Sequence, residues 1–212
     1  MKKLFVDKDI RKAETLAAEF YTDRAFWDLS KEKIFASTWQ FVGDTDSIRV
    51  SGQLLPHTLL EGFLDEPILF ARDKDDTIHC MSNVCTHRGN ILVESPCIEN
   101  SLRCRYHGRR FRLNGKFESM PEFEGVENFP SAKDDLARVP FELWSKLIFA
   151  SVKPAIALDQ SIGEMKKRLD FLPLQEFKCD PVRSRDYLVK CHWALYCENY
   201  LEGFHIPYIH RD

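Results

Sequence analysis

Two short stretches decide how this chain is read: Cys85-Thr86-His87-Arg88-Gly89 and Cys104-Arg105-Tyr106-His107-Gly108. Each offers a thiolate and an imidazole from a tight loop, ending in a glycine that can supply a positive φ or a close backbone approach. The runs around them, TIHCMSNV (77–84), SLRCRYH (101–107) and RRFRL (109–113), are apolar or alternating, as strands are. Such strands would present the loops side by side at one end of a sheet, where four ligands converge. Similar runs, HTLLEGF (57–63), PILFARD (67–73), LARVPFELW (136–144) and KLIFASV (146–152), are separated by turn signals such as Asp-Glu-Pro and Asn-Gly. Residues 46–153 are therefore expected to form an all-β domain.

Upstream, KDIRKAETLAAEF (8–20) suggests a helix from its Ala, Leu and charge content, and KEKIFASTWQFVG (31–43) a second short helix running into a strand. Residues 1–45 form a helical leader in this reading. Downstream, a polar, proline-bearing link at 153–157 leads to IGEMKKRLDFL (162–172), read as a helix. RSRDYLVKCHWALYC (183–197) is then a strand-like approach to the closing segment, so a second domain occupies 154–212.

With 44% hydrophobic and 30% charged residues, the 212-residue chain has the composition of an ordinary soluble protein. No apolar run approaches the roughly 20 residues of a membrane helix, and charges interrupt the N-terminal MKKLFVDKDIRKAE where a secretory signal would be apolar. A cytoplasmic protein without a membrane span is expected. The net charge of −3 comes from interleaved signs, which gives no nucleic-acid footprint. Seven cysteines without an export signal argue for thiols or metal ligands rather than a disulfide framework. Cys80, Cys97, Cys179, Cys191 and Cys197 have no partner at a ligand spacing and read as small buried thiols.

Zinc accepts two cysteines and two histidines, but its usual signature groups like ligands together, whereas the order here is Cys-His, Cys-His. Mixed pairs suit a [2Fe-2S] cluster in which two cysteines bind one iron and two histidines the other. Cys85-x-His87, then residues 88–103, then Cys104-x2-His107 resembles the Rieske pattern. The resemblance implies that Cys85 and Cys104 bind the inner iron and His87 and His107 the outer one. Respiratory Rieske proteins carry an extra cysteine in each loop, joined as a disulfide; Asn90 and Tyr106 stand there in this chain, which places it nearer the soluble oxygenases and ferredoxins. Fewer polarising neighbours at the sulfurs then imply a lower potential within the Rieske range. Many members have proline after the second cysteine, where this chain has Arg105.

The closing CENYLEGFHIPYIHRD (197–212) contains Glu202 and His205 three apart, on one face if helical. Five residues turn a regular helix well past one revolution, so His210 can converge with His205 only if the winding breaks. Pro207 is the expected cause. Two convergent histidines suit the facial triad of non-haem iron(II) oxygenases, whose third ligand is a carboxylate. Asn199-Tyr200-x-Glu202-x2-His205-x4-His210 resembles the iron motif of Rieske oxygenase α subunits, including the choline and carnitine monooxygenase-like branch. The resemblance implies that His205 and His210 bind the mononuclear iron. It implies that Glu202 bridges His205 to a Rieske histidine of a neighbouring subunit, and that Asn199 lines the site.

The resemblance implies a mainly β Rieske domain, an antiparallel sandwich with two cluster-binding loops, over 46–153. It follows N-terminal helices and precedes the start of an α+β helix-grip, START-like catalytic domain at 154–212. The family's third iron ligand, an aspartate, lies far downstream of the histidines. Asp212 is the only later acid and does not match it, so the chain reads as an α subunit cut inside its catalytic domain and inactive alone. The whole protein is expected to be a terminal oxygenase passing electrons from the cluster to Fe(II) for O2-dependent hydroxylation or demethylation of a small organic substrate. NAD(P)H would act through a separate reductase or ferredoxin donor. A homotrimer is implied, since the cluster and iron of one subunit are too far apart to work together. The alternatives are a Rieske-type ferredoxin without oxygenase activity and a zinc-stabilised module.

Overall fold

In the computed structural model of the chain, which describes residues 4–210, the apolar run at 66–72 is a strand buried on both faces. Asp212 lies outside the described residues. The strands are β1 (Gln40–Asp44), β2 (Gln53–Leu59), β3 (Glu66–Arg72), β4 (Ile78–Ser82), β5 (Cys97–Ile98), β6 (Leu102–Arg103), β7 (Arg110–Phe111), β8 (Phe117–Ser119), β9 (Phe141–Trp144) and β10 (Leu147–Ala150). They form three antiparallel sheets ordered β1-β10-β9, β4-β3-β2-β5 and β6-β7-β8.

Alternation along β3 explains how the sheets stack. Successive strand side chains point to opposite faces, so Ile68 and Phe70 enter one core and Leu69 and Ala71 the other. On the first face Ile68, Phe70 and Cys80 meet Ile148 and Ala150 of β10. On the second, Leu54, Leu69, Ala71 and Met81 meet Leu102 and Phe111 of the third sheet, together with Cys85 and Cys104. The middle sheet thus has apolar residues at consecutive positions of β3, because both of its sides are covered. The mainly β architecture expected from the sequence is the one observed.

The described residues divide into two compact units, 33–178 and 4–32 with 179–210, not at the expected residues 45 and 153. Strand pairing explains the first difference: Gln40–Asp44 runs antiparallel to β10 and belongs to the sheets rather than to a leader. Beyond β10, the Trp39 indole N–H donates to the Ile156 carbonyl at 2.8 Å, and Leu158 at the start of α3 (Leu158–Arg168) is fully buried.

In the other unit, the expected helix at 8–20 is mostly irregular, with turns at 10–12 and 18 and helix only from 19. The helices are α1 (Glu19–Thr22) and α2 (Arg24–Lys33), the latter with Phe26 and Ser30 buried one turn apart. A short isolated helix is marginal without an apolar face to bury, and residues 8–18 are largely exposed. Tyr187 and Leu188 of the expected strand are exposed at 83% and 97%, and the stretch forms no ladder among the described residues. It gives way instead to helix α4 (Trp193–Leu201). The Phe20, Tyr21 and Trp27 rings surround His192 at centroid distances of 5.3, 5.7 and 5.4 Å, and the Tyr21 hydroxyl donates to Glu198 Oε1 at 2.6 Å. That hydrogen bond, with burial and the Glu198 charge adding to it, raises the Tyr21 pKa to about 12. Leader side chains thereby fix the helix that leads into the last candidate ligands. No helix among the described residues is long and apolar enough to cross a membrane.

Candidate cluster and metal sites

The first loop, CTHRG, follows β4, and the second, CRYHG, joins β6 to β7. Both are the same hydrogen-bonded turn. The Cys85 N–H donates to the Asn90 carbonyl at 2.8 Å and the Gly89 N–H to the Cys85 carbonyl at 3.0 Å. The Cys104 N–H donates to the Arg109 carbonyl at 2.8 Å and the Gly108 N–H to the Cys104 carbonyl at 3.0 Å. Gly89 and Gly108 have φ of 72° and 75°, where a Cβ costs roughly 1–2 kcal/mol. A Cβ at Gly108 would also stand 3.2 Å from Pro121 Cγ, whereas at Gly89 the space is open. Gly108→Ala is therefore expected to lower the thermal midpoint more than Gly89→Ala; equal shifts in parallel melts would reject the steric part of this account.

Cys85 and Cys104 are each 2% exposed and lie in the same buried core. The His87 and His107 rings lie toward solvent, 4.8 Å apart at 69°. Of the four residues named from the sequence, the two cysteines share one buried core and the two imidazoles pair nearer the surface. Burial, reinforced by the Cys104 thiol, pushes the Cys85 thiol up, against the pull of the His87 and Arg88 N–H groups. Such a thiol becomes a ligand when a cation compensates its charge. Burial, then the charges of His107, Arg88 and Arg109, keep His87 below the usual imidazole range, in the neutral form that binds metal. A two-iron cluster suits this donor set. Among the described residues no three His, Cys, Asp or Glu side chains converge on a common point as ligands of one metal ion; a two-iron cluster would ask for only two protein donors at each iron.

Four supporting residues were missed in the sequence because their roles are non-local. Asn83, 3% exposed, donates its amide to the Val93 carbonyl at 2.7 Å and accepts the Val93 N–H at 3.0 Å, closing the base of the first loop. Thr86 Oγ1 donates to the Asp134 carbonyl at 2.9 Å, and the Arg109 guanidinium meets Asp134 Oδ1 at 2.5 Å. Asp134 thus touches both loops. Arg109 packs over Phe117 at 4.9 Å and is 3% exposed. Burial opposes ionisation of Asp134, but Arg109 and Ser131 outweigh it and hold the carboxyl below its ordinary range. The Asn90 carbonyl closes the first loop, and the Tyr106 ring stacks on His107 with centroids 3.8 Å apart. The seven cysteines are free thiols. Arg105 is exposed.

At the other candidate site, α4 ends at Leu201 and Glu202 is extended, so the winding breaks before Pro207 rather than at it. Pro207 lies in the first turn of α5 (Ile206–Ile209), where its missing N–H costs no helical bond. The break still brings the imidazoles together: the His205 and His210 rings lie 5.4 Å apart. Glu202 Oε1 is bonded to His205 Nδ1, and Oε2 accepts the Phe204 N–H at 2.6 Å. The His205 contact, against slight desolvation, holds Glu202 below the usual carboxylate range. Asn199 is exposed on α4, without a hydrogen bond to either imidazole.

Comparison with known proteins adds a common pattern. Residues 38–130 match the Rieske [2Fe-2S] domain family. Chloroplastic choline monooxygenase of Arabidopsis thaliana is 27% identical over 95% of this chain and 50% of its own length. The carnitine monooxygenase oxygenase subunit of Escherichia coli K12 is 28% identical over 92% of this chain and 52% of its own. The chain spans about half the length of these curated relatives. The apo structure of CntA, a quaternary ammonium Rieske monooxygenase, has the same fold with TM-score 0.78 and 23% identity, over 91% of this chain and 56% of that one. Naphthalene 1,2-dioxygenase with bound phenanthrene is similar at TM-score 0.61 and 25% identity, over 70% of this chain and 33% of that one.

Proposed function

We propose that this chain, whose residues 38–130 match the Rieske [2Fe-2S] domain family and which is similar to choline monooxygenase and to a carnitine monooxygenase oxygenase subunit, is part of a terminal oxygenase. Cys85 and Cys104 hold the inner iron of a [2Fe-2S] cluster and His87 and His107 the outer one. His205 and His210 are ligands of a mononuclear Fe(II). The observation that carries this reading is the pair of matching turns, each with a cysteine buried in one common core and a histidine, the two imidazoles being paired.

The cluster supplies single electrons, and the mononuclear iron the means to oxidise a substrate with O2. The residues hold and orient these groups. Glu202 engages Nδ1 of His205 and so leaves Nε2 as the nitrogen available to a metal. In this reading its carboxylate also links His205 to a cluster histidine of a neighbouring subunit in a homotrimer. A reductase or ferredoxin, drawing on NAD(P)H, is the electron donor in this reading. The relatives' names favour a small quaternary ammonium compound as substrate. With reductase and NADH present, faster O2 uptake on adding choline or carnitine than on adding naphthalene would bear this out in the whole protein; the reverse order would reject it.

Low-temperature EPR of the dithionite-reduced chain, with metal and acid-labile sulfide analysis on the same sample, tests the cluster. A rhombic signal at low average g, with about two iron and two sulfide per chain, is expected. Zinc without sulfide or signal, in protein made with ample iron, would reject both iron assignments.

A further inference from the structure

We propose that Arg109, held by Asp134, is a positioning residue for the cluster loops and the fixed cation that raises the reduction potential of the centre between them. The inference rests on the assignment of Cys85, His87, Cys104 and His107 as cluster ligands. Arg109 lies two residues after His107, and its carbonyl closes the second loop by accepting the Cys104 N–H at 2.8 Å. Its side chain lies among Phe117, Phe129 and Phe111, with the guanidinium carbon 4.9, 5.6 and 5.7 Å from their ring centroids. One guanidinium nitrogen reaches Asp134 Oδ1 at 2.5 Å and the Asp134 carbonyl at 3.3 Å. That same carbonyl accepts Thr86 Oγ1, from the residue between Cys85 and His87. A single residue outside both loops therefore fixes their relative position.

Asp134 does not depend on Arg109 for its placement. Its Oδ2 accepts the Ser131 N–H at 2.7 Å and the Ser131 hydroxyl at 3.0 Å in a capping box. Within the ion pair the guanidinium side is the drier, with side-chain exposures of 4% for Arg109 and 19% for Asp134. Arg109 Nε has no hydrogen-bond partner among the described residues, so the carboxylate meets only part of the guanidinium. Solvent screens the carboxylate more than the buried cation. Reduction adds an electron, and a nearby buried positive charge favours the reduced form. Arginine keeps that charge at any working pH.

Spectroelectrochemical titration of the cluster in the full chain, with Arg109→Met, Arg109→Lys and Asp134→Asn, tests this. Removing the cation in Arg109→Met is expected to lower the potential, Arg109→Lys to restore it toward that of the unsubstituted chain, and Asp134→Asn to raise it. Opposite shifts from the two partners are what a charge effect gives; loosened packing alone would move both variants in one direction. Potentials that do not move, or move together, in cluster-loaded variants would overturn the proposal and leave the ligand assignment standing. If Arg109→Met does not retain the cluster, the sign of the shift in Asp134→Asn decides. An unsubstituted chain that forms no cluster would reject the ligand assignment and this proposal together.

Discussion

Cys104→Ala is expected to yield a folded but colourless protein without the reduced EPR signal, its iron and sulfide falling from about two each to near zero. Cys104 is buried in the core of the second loop, and the bonds that shape that loop, from the Cys104 N–H to Arg109 and from Gly108 to the Cys104 carbonyl, belong to the backbone. Alanine keeps them. What it removes is the thiol, which on the proposed assignment is one of two anionic donors to the inner iron, a loss that the neutral imidazoles cannot replace. Cys80→Ala is the matched control: Cys80 is equally buried, at 2% exposure, but lies in the core on the other face of the middle sheet. It should keep cluster and colour. Circular dichroism of both variants checks the fold, and full iron and sulfide in Cys104→Ala would reject Cys104 as a ligand.

Phe111→Ala is expected to cost the metal-free chain roughly 3–5 kcal/mol, the usual range for emptying a buried aromatic site. That is a large part of the roughly 5–15 kcal/mol by which domains are stable. Phe111 is fully buried in the core that contains Cys85 and Cys104, and meets Phe117 edge-on at 6.4 Å. It also forms part of the aromatic surround of Arg109. A cavity there removes packing beneath both loops at once. Urea unfolding monitored by circular dichroism measures the effect, with the half-buried Phe123 replaced by alanine for comparison. A loss below about 1 kcal/mol at Phe111, in the range of ordinary substitutions, would reject this account of the core.

The helical leader was only partly legible. Residues 8–18 have helical composition but are largely exposed, while α2, with Phe26 and Ser30 buried one turn apart, forms where a face can be covered. Strand character at 183–192 fails for a related reason, because a strand needs a ladder and local preference cannot supply one. The break near Glu202 was anticipated but placed too late: Pro207 suits the first turn of a new helix as well as the end of an old one, and local sequence does not choose between them.

The sequence by itself determined the candidate ligands and the two loop motifs, because Cys-x-His, Cys-x2-His and a closing glycine act within a single turn, over distances that chain connectivity sets. It also determined the strands between residues 53 and 150, through the alternation and apolar runs that a covered sheet requires. Only the tertiary structure decided that the loops are held through Asp134, which reaches Thr86 and Arg109 across 48 and 25 residues. It alone placed Arg109 among three rings and set the leader's Tyr21 on Glu198, 177 residues away. Contacts between residues so far apart in the chain exist only once the cores have formed, and no local spacing encodes them.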